Sequence, residues 1–274
     1  MPLRNAVQRM KLDRLEAEML QFPQEECSVV HSFSHGLYIR QVTLKAGTYA
    51  IGHFQKTTHL NVMLCGHATM IEADGSYVER RAPLIYVADP GRKVGYIHED
   101  VVWLNIYATT ETDVDVLEAA LLEKSAYFKN SLKPLASKDD RADFTAMLIE
   151  LGVTAELVRS QSENTSDQIA FPPGCYGVKI GASAIEGRGL IATRAFAAGE
   201  QIVPARVGLL RTPAGRYTNH AKVPNAKMVL GADGSIVLVA LRDICGCRGG
   251  LDGEEVTVDY RQARNEVGGL ICQQ

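Results

Sequence analysis

The segment at residues 215–226 has the sequence GRYTNHAKVPNA. Its two pairs, Asn219-His220 and Pro224-Asn225, are too polar for a core strand and too specific in their order for a generic turn. Because buried polar side chains need hydrogen-bonding partners, this composition indicates that something local requires these groups. The surrounding segments show what that is.

Short strands and tight turns flank this stretch on both sides. Residues 176–203 contain three strand-like segments separated by a Gly-Arg-Gly turn and an Ala-Gly-Glu turn. Residues 226–244 predict a hairpin around Asp233-Gly234, and residues 253–260 predict a final short strand. Since no helix of any length is predicted among them, this part of the chain is expected to be a β domain.

Three blocks of this region, taken in order, resemble the SET domain of protein lysine methyltransferases. The blocks are GRGL (187–190) with IATRAFAAGE (191–200), RYTNH (216–220) with Pro224-Asn225, and LVALRDI (238–244) with GEEVTVDY (253–260). One Gly-x-Gly alone would be a weak signal, but three blocks in the right order with nearly every marked residue form a strong one. The resemblance implies a compact SET (β-clip) domain at residues 173–266.

The resemblance also implies a cleft for S-adenosylmethionine (AdoMet) and a narrow channel for a lysine amine. Such a reaction depends mostly on positioning and desolvation. Glycines would let the backbone approach the cofactor, and an asparagine offers one acceptor and two donors to it. A tight turn and a polar brace are the corresponding structural alternatives. The implied cofactor-binding residues are Gly187, Arg188, Gly189, Leu190, Asn219 and His220.

Two tyrosines are the catalytic candidates that the resemblance implies. The phenol of Tyr260 would align the lysine amine and shield the sulfonium, with an aromatic plug at the end of a strand as the alternative. Tyr217 is the second aromatic candidate for the lysine channel, and a plain core role is equally open.

The sequence departs from the family pattern on the substrate side. Only VPARVGLLRTPAGRYT lies between Ile202 and Asn219, where well-known members carry a much longer insert. Lys222 stands where many members have a zinc-binding cysteine. The cofactor half therefore looks more complete than the substrate half, and the compact form resembles SET domains of bacterial and bacteriophage genomes.

The first part of the chain has the period-two pattern of many short strands. Turn signals at Lys45-Ala46-Gly47, Cys65-Gly66, Asp74-Gly75 and Asp89-Pro90-Gly91 separate strand-like segments between residues 27 and 109. The layout of GHFQKTTHLNVMLCG (52–66) and PGRKVGYIHEDVVWLNIY (90–107) is similar to that of a cupin. This resemblance implies a cupin-like β-barrel or jelly roll with flanking helices.

The cupin resemblance is incomplete at the metal ligands. His59-x-Asn61 stands where an active member has His-x-His, and the acidic residue expected after it is missing. A metal would need about three imidazoles with a carboxylate or water. The remaining candidates are His53, His59 and His98, with Glu99 as a carboxylate. A domain without metal that serves assembly or ligand capture is favoured.

The rest of the chain divides into helices and a polar linker. Helices are predicted at residues 3–20, 112–125 and 139–152, and RSQSENTSDQ (159–168) has no apolar residue with which to stabilise an ordered segment. The predicted divisions are an arm (1–25), the cupin-like domain (26–111), a helical connector (112–158), a linker (159–172) and the SET domain (173–266).

Composition limits the partners that are expected. The net charge of -3 and the sequence pI of about 6.2 show no basic excess of the kind that phosphate-binding proteins have, so nucleic acid is not expected. No segment has the apolar length of a membrane span, and the six cysteines, Cys272 among them, lack paired CxxC spacing. A cytoplasmic protein is predicted, or a virion-associated one if a phage encodes it.

Two principal functions follow from these patterns, and they belong to different classes. The first is an AdoMet-dependent protein lysine N-methyltransferase whose cupin-like domain recruits the target protein or forms a homo-oligomer. The second is a structural or assembly protein, such as a phage virion component, in which the SET fold is a packing module. The intact Asn219-His220 and Tyr260 favour the enzyme, whereas the shortened substrate segment favours the second function. A metal-dependent cupin enzyme is a weaker third hypothesis.

Overall fold

The computed structural model describes residues 2–72, 75–131 and 138–266. Asp74, part of a predicted turn, and Cys272 lie outside the described residues. The chain is mainly β, as predicted. It divides into a first unit, Met1–Lys133 with Cys247–Asp252, and a second unit, Pro134–Gly246 with Gly253–Gln274. The division thus falls before the polar segment from which a linker was predicted.

Strands make up most of the first unit, with helices at its beginning and end. The helices are α1 (Pro2–Met19), α2 (Val114–Leu121) and α3 (Ala126–Ser131). The strands are β1 (Val29–Ser34), β2 (Leu37–Leu44), β3 (Tyr49–Ile51), β4 (Phe54–Gln55), β5 (His59–Ile71), β6 (Tyr77–Arg81), β7 (Leu84–Ala88), β8 (Val94–Ala108) and β9 (Leu122–Glu123).

One large antiparallel sheet dominates the first unit. Strands β1, β2, β8, β5 and β6 are neighbours in that order, while β3 also pairs with β8 and β7 also pairs with β5. Among the described residues this path does not return to its starting strand. The sheet is therefore not a closed barrel, which corrects the barrel form of the prediction and leaves the jelly-roll form.

Strand β5 is longer than its turn signals predicted. Cys65-Gly66 was predicted to be a turn between strands, but β5 continues through both residues with shifts in its register against β8. Gly66 has φ +90°, and a Cβ on it would lie 2.2 Å from the carbonyl oxygen of Asp100. The glycine therefore permits a bulge inside a strand rather than a chain reversal.

One cluster of buried apolar residues in the first unit forms a core on one face of this sheet. Its buried members are Met63, Ala68, Met70, Ile97, Val101 and Trp103. They come from the two longest strands, whose side chains alternate between the faces of the sheet. The residues between them in sequence therefore point away from this core.

The described residues of the second unit form short strands and four helices. The helices are α4 (Lys138–Leu151), α5 (Ala155–Glu163), α6 (Pro213–Tyr217) and α7 (Tyr260–Glu266). The strands are β10 (Gly174–Tyr176), β11 (Val178–Ala182), β12 (Arg188–Ala192), β13 (Gln201–Val207), β14 (Leu210–Arg211), β15 (Asn219–His220), β16 (Ala226–Leu230), β17 (Ile236–Ala240) and β18 (Glu255–Val258). The short helices α6 and α7 correct the expectation that no helix interrupts this region.

Two small sheets hold the second unit together. One has the order β11-β12-β18-β15 and the other the order β14-β13-β17-β16. The hairpin between β16 and β17 turns at Asp233-Gly234, as predicted, with Gly234 at φ +78°. The first sheet contains a parallel pair, β15 with β18, and this pair positions the residues that were predicted to be functional.

The polar segment that was predicted to be a linker is ordered by charge and capping. Helix α5 includes residues 159–163 and begins after Thr154, whose side chain accepts a hydrogen bond from the backbone of Leu157. Beyond the helix, Arg211 donates two hydrogen bonds of 2.7 Å to the carboxylate of Asp167. The apolar residues that the segment lacks are therefore replaced by a cap and a bidentate ion pair.

Among the helices that the structure describes, none has the length and apolar character needed to cross a membrane.

Candidate functional site

The stretch at residues 215–226 forms a crossing between distant segments of the second unit. Asn219 pairs with Thr257 and His220 with Val258 in the parallel ladder of β15 and β18. Asn225 then fixes the same strand, because its Nδ2 donates to Glu255 O at 2.8 Å and its Oδ1 accepts from Thr257 N at 2.8 Å. The polar residues of this stretch thus replace ladder bonds that a longer strand would supply.

Asn219 lies at the centre of a cluster of acceptors. Its Nδ2 donates to Glu255 Oε1 at 2.8 Å and to Ser183 Oγ at 3.0 Å, and it also reaches the carbonyl oxygens of Arg188 at 3.1 Å and Glu186 at 3.2 Å. An amide nitrogen carries only two protons, so the four acceptors share them. We call Ser183, Asn219 and Glu255, with the turn at residues 184–188, the Asn219 cluster.

Glu255 is the charged member of the Asn219 cluster. Burial raises the pKa of its carboxyl group, and hydrogen bonds from Asn219 and Ser183 oppose that rise. Ser183 Oγ lies 2.9 Å from both carboxylate oxygens. A half-buried anion is thus held by neutral donors, an arrangement that stabilises negative charge less than a cationic partner does.

The two glycines of the first motif have different surroundings. A Cβ on Gly189 would lie 2.2 Å from Glu255 Oε1, so this glycine makes room for the carboxylate. Gly187 has φ +53° and no heavy atom within 4 Å of an added Cβ. Of the two positions predicted to admit a cofactor, only the one at residue 187 borders open space.

Tyr260 begins helix α7, separated from the end of β18 by Asp259 alone, rather than ending a strand as predicted. Its hydroxyl donates to the carbonyl oxygen of Thr218 at 2.8 Å. Burial raises the pKa of Tyr260 to about 12, so the phenol is protonated at neutral pH. It is therefore a hydrogen-bond donor, and not a base, in this arrangement.

His220 is buried and links Tyr260 to helix α4. Its Nδ1 accepts from the backbone N–H of Tyr260 at 3.3 Å, which leaves Nε2–H to donate to Asp143 Oδ2 at 2.9 Å. A hydrogen bond from Arg261, followed by the one from His220, holds the pKa of Asp143 below its ordinary value. The imidazole thus braces the start of α7, and both of its ring nitrogens already have partners in the protein.

The remaining predicted residues lie at the edge of the Asn219 cluster or in the core. The guanidinium carbons of Arg188 and Arg216 lie 5.0 and 4.8 Å from the ring centre of Tyr217. Leu190 is fully buried and pairs with Ile180 and Val256, so it is a core residue.

Three further members of this region, Ser183, Glu255 and Asp143, were not predicted from the sequence. Glu255 lay within a quoted motif, and its position next to a buried strand was the available signal. Ser183 and Asp143 carry no local signal, because their contacts depend on the packing of separate segments.

The metal candidates of the first unit do not come together. His53 lies edge-on to Phe128, and burial lowers its pKa to about 3. His59 stacks on Tyr107, and its Nδ1 lies 2.9 Å from Thr57 O. His98 instead stacks on His67. His53, His59 and His98 therefore do not form one metal site, because their imidazoles belong to three separate groups.

Asn61, at the position where an active cupin has a histidine ligand, is hydrogen-bonded to a lysine. Its fully buried Oδ1 accepts from Trp103 Nε1 at 2.8 Å, Asn105 Nδ2 at 2.9 Å and Lys93 Nζ at 3.2 Å. Burial lowers the pKa of Lys93 to about 8, and Tyr86 OH lies 3.0 Å from its Nζ. We call these five residues the Asn61 cluster. An ammonium group at this point does not fit a cupin metal.

Comparison with known proteins extends only to the first part of the chain. No protein-family model and no curated protein matches it. Solved structures that resemble the N-terminal third are cupin-like or jelly-roll proteins.

An ectoine synthase from P. lautus is 11% identical with a TM-score of 0.30, and the match covers 38% of this chain and 83% of that chain. A cupin-2 domain protein from Shewanella frigidimarina is 12% identical with a TM-score of 0.26, over 34% of this chain and 91% of that one. An RmlC-like cupin from Methanocaldococcus jannaschii is 15% identical with a TM-score of 0.25, over 30% and 80%. Since these scores are low, the description of the first unit rests on its own strand pairing.

Proposed function

We propose that the chain is an AdoMet-dependent protein lysine N-methyltransferase, with its chemistry in the second unit and target recruitment or self-association in the first. The crossing of β15 and β18 is the observation that carries the proposal. It brings Asn219, the turn at residues 184–188 and the start of α7 to one region, in agreement with the SET resemblance of the three sequence blocks. A packing module alone would not need an acceptor-rich polar cluster next to an open glycine.

The Asn219 cluster would hold the cofactor at its open side. Four acceptors share two amide protons of Asn219, so one acceptor can be exchanged for a ligand group without leaving a buried proton unpaired. The half-buried carboxylate of Glu255 favours a nearby cationic group, and AdoMet carries both an ammonium and a sulfonium. Gly187 leaves space for a ligand at the turn.

Tyr260 is the proposed catalytic residue on chemical grounds. Its phenol keeps its proton at neutral pH and is fixed by Thr218 O and by the His220 brace. A fixed neutral hydroxyl can orient a lysine amine without removing the lone pair that attacks. When bound, AdoMet supplies the methyl group, while the chain supplies orientation and exclusion of water. Tyr217 is the second aromatic candidate for the lysine channel.

Calorimetric titration of the full chain with AdoMet tests the binding part of the proposal. We expect binding in the micromolar range and a loss of at least ~1.5 kcal/mol, or roughly tenfold, in Asn219→Ala. Asn164→Ala is the matched control, because Asn164 is exposed and its side-chain oxygen accepts hydrogen bonds from the backbone and hydroxyl of Ser166 in a local turn. Equal affinity of Asn219→Ala and the wild type would refute this cofactor site.

An assembly role is the second candidate, and the edge of the first-unit sheet favours it. Strand β7 pairs with β5 and exposes Ile85 by 67% and Val87 by 66%. Exposed apolar residues on an edge strand favour pairing with another copy. We expect light scattering to show a homo-oligomer that the double variant Ile85→Lys, Val87→Lys converts to monomer. A monomeric wild type would remove this role.

A further inference from the structure

A group of metal-ligating side chains lies in the first unit, apart from the Asn61 cluster. His67 on β5, Glu79 on β6 and His98 on β8 each offer one ligand atom, and these atoms lie within 4.8 Å of one another. No other group of this kind occurs among the described residues. The three side chains come from three neighbouring strands, so the sheet itself holds them together.

These side chains point away from the core of the first unit. Ala68, Met70 and Ile97 alternate with them in sequence and belong to the apolar core. The imidazoles of His67 and His98 stack with ring centres 4.3 Å apart, and the side chain of Glu79 is 57% exposed. The group is therefore open to solvent on one side and supported by the sheet on the other.

Thr69 connects the group, and its single proton fixes where the other protons lie. Its hydroxyl donates to Glu79 Oε1 at 2.7 Å, so the bond of 2.7 Å between Thr69 Oγ1 and His98 Nε2 must use the Nε2–H of His98. His67 Nε2 also contacts Glu79 Oε2, and an ionised carboxylate only accepts. Both imidazole N–H groups therefore point into a site that surrounds one carboxylate.

We propose that His67, Glu79 and His98 bind a divalent first-row transition metal ion such as Zn²⁺. Two imidazoles and a carboxylate form a ligand set that such ions prefer. The ion would bind at the two Nε2 atoms, so in the metal-bound form each neutral imidazole carries its single proton on Nδ1 instead of Nε2.

Modest side-chain movement completes the proposed site. Bonds of about 2.0–2.2 Å in tetrahedral geometry require ligand atoms about 3.4 Å apart. In the structure the three ligand atoms lie within 4.8 Å of one another. The exposed side chain of Glu79 is free of packing that would oppose this movement. Solvent or a group from another molecule fills the fourth position.

The test uses the full chain without a histidine tag, treated with a chelator and then titrated with ZnCl₂ alone. We expect one equivalent to bind, and at least a tenfold weaker dissociation constant in Glu79→Gln and in His98→Ala. Co²⁺ should give visible absorption bands in the wild type that both variants lose. His35→Ala is the control, because His35 is an exposed histidine of the same unit outside the group.

Each outcome of the titration decides the proposal. His98→Ala and Glu79→Gln change exposed side chains, so both variants are expected to keep the wild-type melting temperature without metal. Absence of Zn²⁺ binding by the wild type overturns the proposal. So does equal binding by the wild type and both variants, or a loss of binding in His35→Ala of the same size.

Discussion

Two asparagines, Asn61 in the first unit and Asn219 in the second, organise polar clusters of opposite kind. Asn61 uses its oxygen to accept from three donors, one of which is the ammonium of Lys93. Asn219 uses its nitrogen to donate to four acceptors, one of which is the carboxylate of Glu255. The first cluster encloses a cation, and the second surrounds an anion.

The difference determines which cluster suits a ligand. A ligand that entered the Asn61 cluster would have to displace Asn61 Oδ1, the shared acceptor of three buried donors that include the ammonium of Lys93. The acceptors around Asn219 outnumber its protons, and Gly187 leaves one side open. We therefore expect a ligand at the Asn219 cluster rather than at the Asn61 cluster.

The largest expected effect is the loss of stability when Asn61 is truncated. Asn61→Ala leaves the N–H groups of Trp103 and Asn105 and the ammonium of Lys93 without their buried acceptor, which should cost about 3 kcal/mol. Asn219→Ala should cost only about 1 kcal/mol, because its acceptors keep other donors or reach solvent. Urea unfolding of both variants measures this, and equal losses would contradict the comparison.

Removing the hydroxyl of Tyr260 in the second unit should slow methyl transfer and leave AdoMet binding nearly unchanged. Tyr260→Phe keeps the ring and is expected to lower methyl transfer about 100-fold, equivalent to about 2.7 kcal/mol, with AdoMet affinity nearly unchanged. Transfer of labelled methyl groups to lysine-containing proteins, together with calorimetry, separates the two quantities. An equal loss in both would make Tyr260 a structural residue.

The smallest expected effect is a pH dependence of stability that arises from Lys93 in the Asn61 cluster. The pKa of Lys93 falls from 10.5 to about 8 on folding, so between these values the unfolded state holds a proton that the folded state has released. Stability should therefore rise with pH in this window, and below pH 8 the full cost of burying the charge remains.

We expect the unfolding free energy of the wild type, minus that of Lys93→Met, to increase by about 1 kcal/mol from pH 7.5 to 9.5. This value is reduced for the partial exposure of the side chain. Denaturant titration at several pH values measures this difference. A constant difference would show that Lys93 is not desolvated.

Local patterns predicted the strands, and distant packing determined the sites. The hairpin at Asp233-Gly234 was predictable because a turn depends on adjacent residues. The bulge at Gly66 and the pairing of His98 with His67 were not, since a register shift in β5 moves side chains relative to β8 without any local signal. The membership of Glu255 in the Asn219 cluster likewise required the crossing of β15 with β18.

The ordered structure of the polar segment at residues 159–168 was likewise not predictable from its own sequence. Its composition predicted a linker, because no apolar residue stabilises it. Its order depends on Arg211, which follows by more than forty residues and binds Asp167. An ion pair between separate segments cannot be predicted from the composition of either one.

Stabilisation of the chain by AdoMet tests the proposed cofactor site at the Asn219 cluster most directly. A ligand at 100 times its dissociation constant should raise the unfolding free energy of the unit that binds it by about 2.7 kcal/mol. We predict this gain for the wild type and for Lys93→Met, and a gain of at most about 1.4 kcal/mol at the same AdoMet concentration for Asn219→Ala, whose affinity is expected to be at least tenfold lower. A full gain in Asn219→Ala, or a gain that disappears in Lys93→Met, would contradict the assignment of the cofactor to the Asn219 cluster.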